Sequence, residues 1–461
     1  MIRVFYCKLA TTGSLLLLFS RLFQPHQRII ALAIPMIIAN ITTPLLGLVD
    51  TAVLGHLPSV EALAGASIGA LVITQIYWVS GFLRMSVTGL SAQVKGAATT
   101  LTLPARNAYA KPLYQGAGLA MLLAILVAMA MQWLIPLAQW MAETDALTNQ
   151  FIKEYLSVRV YGAPAALLNL VLVGWLVGQQ QTRAVLVIQV LGNVLNILLN
   201  VIFVFGFELN VMGVAAATVC AEYAMLAMGA VLALRPLAAR LPALHWFAPR
   251  EWGAIVSLNT AMFVRNLTLQ LCLAFITFQG AQLGAQTAAI NAILMQFFVL
   301  IALGLDGIAY AVEALVGEAK GQKRSEQIHQ HTTGGLIWSS AFALVYAALF
   351  FGVGEWVISL LTNKPELMDA ASAFLPLMWF LPLIAHWCFL FDGVFVGFSD
   401  AKSMRNTMAL SALGVFFPVW WLLQQHDNWA LWWAFLAFLA ARGFSLGWIY
   451  LDRWRKDHLL D

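Results

Sequence analysis

Twelve stretches of this sequence are apolar for long enough to cross a lipid bilayer, which leaves few folds open to the chain. A spanning α-helix needs about 20 consecutive, mostly apolar residues. Segments of that kind run roughly over 29–54, 62–92, 112–136, 150–178, 184–206 and 210–234, then 254–280, 285–316, 333–358, 366–398, 404–424 and 428–450. The runs are continuous, whereas the strands of a membrane barrel alternate polar and apolar residues. Only 10% of the 461 residues are charged and 61% are apolar, against about 25% charged in a soluble domain. That excludes a soluble enzyme, a nucleic-acid reader and a disordered chain. The fold class is an all-α polytopic membrane protein whose main partner is the lipid bilayer, with no nucleic acid. Two long segments, 62–92 and 285–316, are expected to tilt or protrude.

Lysine and arginine set the orientation. One set of loops holds Lys95, Arg106, Lys111, Arg183, Arg235, Arg240, Arg250, Lys320, Lys323, Arg324, Lys402 and Arg405. The termini add Arg3, Lys8, Arg21, Arg28, Arg453, Arg455 and Lys456. The alternate loops hold only Lys153 and Lys364. With an even number of spans, both termini and the basic loops are expected in the cytoplasm. Residues 1–28 are read as a cytoplasmic extension. The short apolar run Leu15 to Phe19 weakly imitates a signal peptide, but a small-residue cleavage pattern is missing. Cys7, Cys220, Cys272 and Cys388 stand alone, without a CxxC pair, so neither a zinc site nor a disulfide framework is indicated.

The two halves echo each other. Gly89 to Gly96 reads GLSAQVKG, and Ala314 to Gly321, 225 positions later, reads ALVGEAKG. Gly174 to Arg183 reads GWLVGQQQTR, and Gly393 to Lys402, 219 later, reads GVFVGFSDAK. Pro164 and Pro382 precede the second pair at nearly the same spacing. In register and in order, the matches argue for a duplicated unit of six helices. Six is even, so both units enter the membrane in the same direction, as in parallel-repeat transporters. The organisation is therefore a first lobe over 29–234, a cytoplasmic linker over 235–253 with Pro236, Pro242 and Pro249, a second lobe over 254–452, and a tail over 453–461.

Ionisable side chains inside apolar spans are costly and mark candidate sites. Asp50 lies 22 residues beyond Arg28, or about 33 Å along a helix, in the outer half of the first span. Pro35 and Pro44 interrupt the same span, and each frees a carbonyl and permits a bend. A carboxyl beside a bendable helix is a candidate proton switch; the alternative is a helix-end cap. Asn193, Asn196 and Asn200 form one stripe on the fifth span. Thr218 and Glu222 share a face of the sixth, and Tyr155 stands near the start of the fourth. Interhelical hydrogen bonding is the competing reading for these amides and hydroxyls. The second half has Arg265, Asp306, Glu313 and Asp392, where one arginine and three carboxyls suggest an ion-paired network. Arg84 has no evident partner, and Arg159 meets Glu154 only through helix-end geometry.

A P-loop, a GxGxxG and an HExxH motif are all missing. No cofactor or metal is expected, and energy is expected to come from an ion or substrate gradient. At Leu48-Val49-Asp50-Thr51-Ala52-Val53-Leu54-Gly55-His56 the chain resembles the multidrug and toxic compound extrusion (MATE) transporters, in the DinF branch. Ala33-Ile34-Pro35, Asn196-x-x-x-Asn200 with Phe203-Val204-Phe205-Gly206, Gly213 through Thr218, and Asp306-Gly307 through Glu313 extend the resemblance from about Arg28 onward.

The resemblance implies a V-shaped pair of six-helix lobes exporting drugs against an inward cation flow, as a secondary active transporter of the inner membrane and not an enzyme. It implies that Asp50 is central to coupling, with Tyr155, Asn196, Asn200 and Thr218 around it, and that small amphiphilic organic cations are the substrates. Asn200 stands where the family has an aspartate, and Arg265 where the sodium-coupled NorM branch has a glutamate. Asp392 looks like that branch's tenth-helix aspartate. Both departures favour protons over sodium. The protein is read as a monomer. A lipid-linked-precursor flippase, or another solute carrier of the superfamily, is the alternative; a flippase calls for a strongly basic cavity, and few intramembrane arginines are present.

Overall fold

The computed structural model describes residues 2–57, 59–98, 109–237 and 244–460, and the side chains from Pro25 onward apart from a few positions. Arg106, Arg240, Pro242 and the side chains of the run Leu15 to Phe19 lie outside the described residues. Among the described residues, twelve helices are long and apolar enough to cross a membrane. They are α1 (Pro25–Gly55), α2 (Val60–Ala98), α3 (Lys111–Ala142), α4 (Ala146–Gly178), α5 (Thr182–Gly206) and α6 (Asn210–Leu234), followed by α7 (Pro249–Gln282), α8 (Ala285–Gly321), α9 (Ser325–Leu361), α10 (Leu375–Phe398), α11 (Ala401–His426) and α12 (Asn428–Arg455). The order is the one expected, with two differences. The helix backbone of α1 continues back to Ile2. The expected segment 366–398 is a short helix, Pro365–Ser372, followed by α10.

Local chemistry sets several of these ends. Ser59 accepts from the Ala62 amide ahead of α2, and Asp145 accepts from the Leu147 and Thr148 amides ahead of α4; both satisfy orphan donors of a first turn. Within α4, Pro164 offers no N–H, and the chain steps through a short 3₁₀ turn at Val160–Gly162 just before it. The last turn of α5 widens into a π-helix over Val201–Gly206, where the Phe207 amide donates to the Ile202 carbonyl. Trp133, Trp140, Phe351, Leu360 and Phe444 are all exposed, large apolar side chains suited to lipid rather than water.

The first six helices and the last six form two bundles, and the repeats lie where helices approach most closely. Gly174 of α4 faces the Arg84 carbonyl of α2, and Gly393 of α10 faces the Ala309 carbonyl of α8. Arg84 and Ala309 are 225 positions apart, so the second contact repeats the first. Gly178 meets the Thr88 carbonyl and Gly397 the Glu313 carbonyl in the same relation. Gln180 and Ser399, 219 apart, both take positive φ, 62° and 54°. In an apolar solvent, helices associate through such close backbone approach rather than through water exclusion.

Among the described residues, the lobes join from the basic end to about the middle of the helices. Gly96 sits on the Glu318 carbonyl and Gly321 on the Gln93 carbonyl, so a Cβ at either would overlap the partner helix. Asn40 donates to the Leu303 carbonyl, Ser86 to Asn259, and Asn266 to the Val79 carbonyl. Glu318 accepts from Arg28 and Gln180, and Gln93 donates to the Gly397 carbonyl and Ser399. These contacts run from the basic loops to about the midpoints of α1, α2, α7 and α8, where Asn40, Val79, Asn266 and Leu303 lie. Beyond them, Gly47 has open space around it and Leu48 and Leu71 are exposed. The lobes thus form a V, closed at the basic end.

Candidate coupling site

Asp50 is half-buried in the first lobe near the open end of α1. Its Oδ1 accepts from Asn200 Nδ2 at 2.6 Å. The same nitrogen donates to Asn196 Oδ1 at 2.8 Å, Asn196 Nδ2 donates to Thr218 Oγ1 at 3.1 Å, and Thr218 donates to the Val214 carbonyl at 3.0 Å. One unbroken chain therefore leads from a carboxylate on α1, across α5, to the backbone of α6. The i, i+4 spacing of Asn196 and Asn200 puts both amides on one face, and both are buried. Asn200 Oδ1 is buried with no hydrogen-bond partner. An orphan acceptor in a low-dielectric interior is costly, so this amide is held in place by what its nitrogen donates to. Asn193 donates to the Thr42 carbonyl at 3.1 Å, two residues before Pro44, while α1 passes through Pro35 and Pro44 as one helix. Tyr155 is buried with its ring against Gly69, and the chain of bonds runs without it.

A second buried layer joins Arg159 of α4 to Glu222 of α6, at 2.8 and 3.0 Å. The sequence offered Glu154 as the partner of Arg159; in the structure Glu154 accepts instead from Gln150. Glu222 is 63 positions from Arg159, and only the fold brings them together.

The second lobe shows the expected ion-paired network with different members. Asp392 of α10 accepts from Arg265 of α7 and, through the same Oδ2, from Arg442 of α12 at 2.6 Å. Arg442 was missed, although an arginine in the middle of a span carries the same signal as Arg265. Glu313 of α8 pairs with Arg84 of α2 at 2.9 Å across the two lobes, and the Arg84 guanidinium lies 4.1 Å over the Tyr310 ring. Asp306 and Glu313 were expected on one face, yet only Glu313 is ion-paired; Asp306 is half-buried on α8. Among the described residues no group of three or more histidine, cysteine, aspartate or glutamate side chains is placed to hold a metal ion.

The MatE family model matches residues 35–202 and 261–422, one match in each lobe. The chain is 40% identical over 430 residues to the DNA damage-inducible protein F of Escherichia coli, covering 92% of each chain. It is 27% identical over 415 residues to a probable multidrug resistance protein NorM of Shewanella oneidensis, covering 87% of each. Its fold superposes on a MOP superfamily transporter from Pyrococcus furiosus with a TM-score of 0.82, over 94% of this chain and 97% of that one. A Vibrio cholerae MATE transporter gives 0.83 over 95% and 99%. At 18% identity these two structures speak for the fold alone.

Proposed function

Because this chain belongs to the MatE family of membrane transporters, in its DinF branch, we propose that it exports small amphiphilic organic cations from the cytoplasm in exchange for protons, with Asp50 as the proton acceptor. The protein sits in the inner membrane with both termini cytoplasmic, as the basic loops require. The V then opens outward, the state in which substrate leaves and a proton arrives.

The observation that carries this reading is the pairing of Asp50 with an amide alone, beside the vacant acceptor on Asn200. When Asp50 is ionised, Asn200 must present its NH₂ to it, which leaves Oδ1 unused. A protonated Asp50 has an O–H to donate. If the Asn200 amide turns over, its oxygen accepts that proton. Asn196 turning in step presents NH₂ to Asn200 and its own oxygen to Thr218. The Thr218 hydroxyl then leaves the Val214 carbonyl and donates to Asn196. The nitrogen and oxygen of each amide exchange places, and every bond in the chain reverses with no movement of the backbone. Proton arrival at α1 is thus felt at the backbone of α6, with Pro35 and Pro44 giving α1 room to bend. Each of the two states has a different affinity for the proton, as coupling requires.

The test uses the purified chain in proteoliposomes with ethidium as substrate. A proton gradient without sodium should drive uptake of dye, and Asp50→Asn should lower the rate at least about ten-fold. Unimpaired export by Asp50→Asn, or transport that requires sodium, sinks the reading.

A further inference from the structure

The Arg159–Glu222 pair takes no part in the chain from Asp50 to Thr218, yet it is carefully housed. The guanidinium engages both carboxylate oxygens, with the side chains only 5% and 15% exposed. Gly162 makes room for it: a Cβ there would lie 2.9 Å from Arg159 Nη1 and closer still to Glu222 Oε2. Asn169 donates to the Glu222 carbonyl at 2.9 Å and fixes that turn of α6. The Tyr77 ring lies 5.8 Å from the guanidinium. Arg159 Nε and the Tyr77 hydroxyl are both buried without hydrogen-bond partners. Two orphan polar atoms beside the pair show that hydrogen-bond satisfaction alone does not account for it.

Position suggests the reason. Glu222 is one turn from Thr218 on the same face of α6, and its partner Arg159 lies within electrostatic reach of Asp50. Tyr155 lies within electrostatic reach of Asp50, Arg159 and Glu222 alike. Without the arginine, this interior would offer two carboxylates, two amide oxygens and a hydroxyl, a set of hard oxygens. A bare metal cation needs several such oxygens at once, whereas a proton needs one carboxylate and one acceptor. The guanidinium fork matches a carboxylate with two parallel bonds and occupies both oxygens of Glu222. It also leaves a fixed positive charge where a second cation would have to settle.

We propose that Arg159 is a specificity-determining residue of the coupling site: by holding both oxygens of Glu222 it keeps that carboxylate from joining Asp50 as a ligand for a monovalent metal ion, and so reserves the first lobe for protons. This rests on Asp50 being the coupling carboxylate. The residue acts on ion choice through Glu222 rather than by touching the proton.

The experiment compares wild type, Arg159→Gln, Arg159→Lys and the double variant Arg159→Gln/Glu222→Gln. The readouts are sodium-dependent stabilisation of the purified protein in detergent, with potassium as control, and ethidium transport under a sodium gradient at matched pH. Arg159→Gln should bind sodium at least about ten-fold more tightly than wild type. Arg159→Lys, a point charge that cannot grip both oxygens, should fall between them. The double variant should show no sodium response, because the freed carboxylate is gone. A folded Arg159→Gln without a sodium response overturns the inference, as does a double variant that responds like the single one. If Arg159→Gln fails to fold, a folded Arg159→Lys as blind to sodium as wild type overturns it equally. Sodium-driven transport by wild type would instead sink the proton reading of Asp50.

Discussion

Asp50 in the first lobe and Asp392 in the second are both carboxylates inside apolar helices, but their surroundings differ in kind. Asp50 meets one neutral amide. Asp392 is clamped by two guanidiniums from α7 and α12, whose side chains are 7% and 5% exposed. Protonating Asp50 completes a hydrogen-bond chain, whereas protonating Asp392 would strand two buried cations. The lobes are built on one plan, yet of these two carboxylates only Asp50 has no cation bonded to it. Burial alone therefore does not identify a coupling residue; what the carboxylate is bonded to matters as well.

The contrast breaks most sharply at Asp392. Asp392→Asn should destabilise the protein by about 3–5 kcal/mol, the usual cost of removing one member of a buried charge cluster. Asp50→Asn should leave stability nearly unchanged while stopping transport. Thermal unfolding of the two variants in one detergent checks the difference. Equal melting temperatures would mean that the second lobe carries its charges as loosely as the first.

The architecture was legible because each span announces itself within its own 20 residues. The repeats were legible for a related reason: close helix packing demands glycine at fixed places such as Gly174 and Gly393, and small-residue motifs survive in order. The pairings were a different matter. Arg84 and Glu313 are 229 positions apart, and Arg442 and Asp392 are 50 apart. Nothing local to either residue names its partner. Spacing put Asn200 on a polar stripe that could line the first bundle with Asp50, but its unpartnered Oδ1 is a property of three dimensions.

A smaller effect is expected at the turn between α10 and α11, the counterpart of the turn between α4 and α5. Asp400 caps α11 through the Ser403 amide at 3.1 Å and holds Arg453 at 2.5 Å; its counterpart Gln181 makes no side-chain cap. Partial burial alone would lift the Asp400 carboxyl, but hydrogen bonds from Ser403 and Arg453 outweigh it and hold the group below the usual carboxylate range. A depressed carboxylate stabilises the fold above its unfolded value of about 3.9 and loses that contribution as pH falls through the folded value. Asp400→Ala should cost about 1–2 kcal/mol near neutral pH and nothing in strong acid. Gln181→Ala, measured alongside, should cost less at either pH.

The smallest predicted effect bears on the joint itself. Gln93 and Glu318 stand 225 positions apart at the basic end of the V and reach across to matching turns. Gln93 donates to Ser399 at 3.1 Å, and Glu318 accepts from Gln180 at 2.8 Å. Only the second side is charged, and only it gathers cations, Arg28 at 2.7 Å and Lys95 at 3.8 Å. The charge therefore adds to a latch whose hydrogen bonds already come in symmetric pairs. Glu318→Gln restores the symmetry and keeps an acceptor for Gln180. Because Arg28 is half-exposed, the lost ion pairs are worth roughly 1 kcal/mol, about a five-fold shift from the closed basic end toward the open one. Spin labels on the ends of α2 and α8 would report that shift as a second, longer distance. Gln93→Glu is the converse probe: it replaces the donor to Ser399 and the Gly397 carbonyl with an acceptor and should open the joint further. If neither variant changes the distances, the glycine contacts at Gly96 and Gly321 hold the lobes together by themselves.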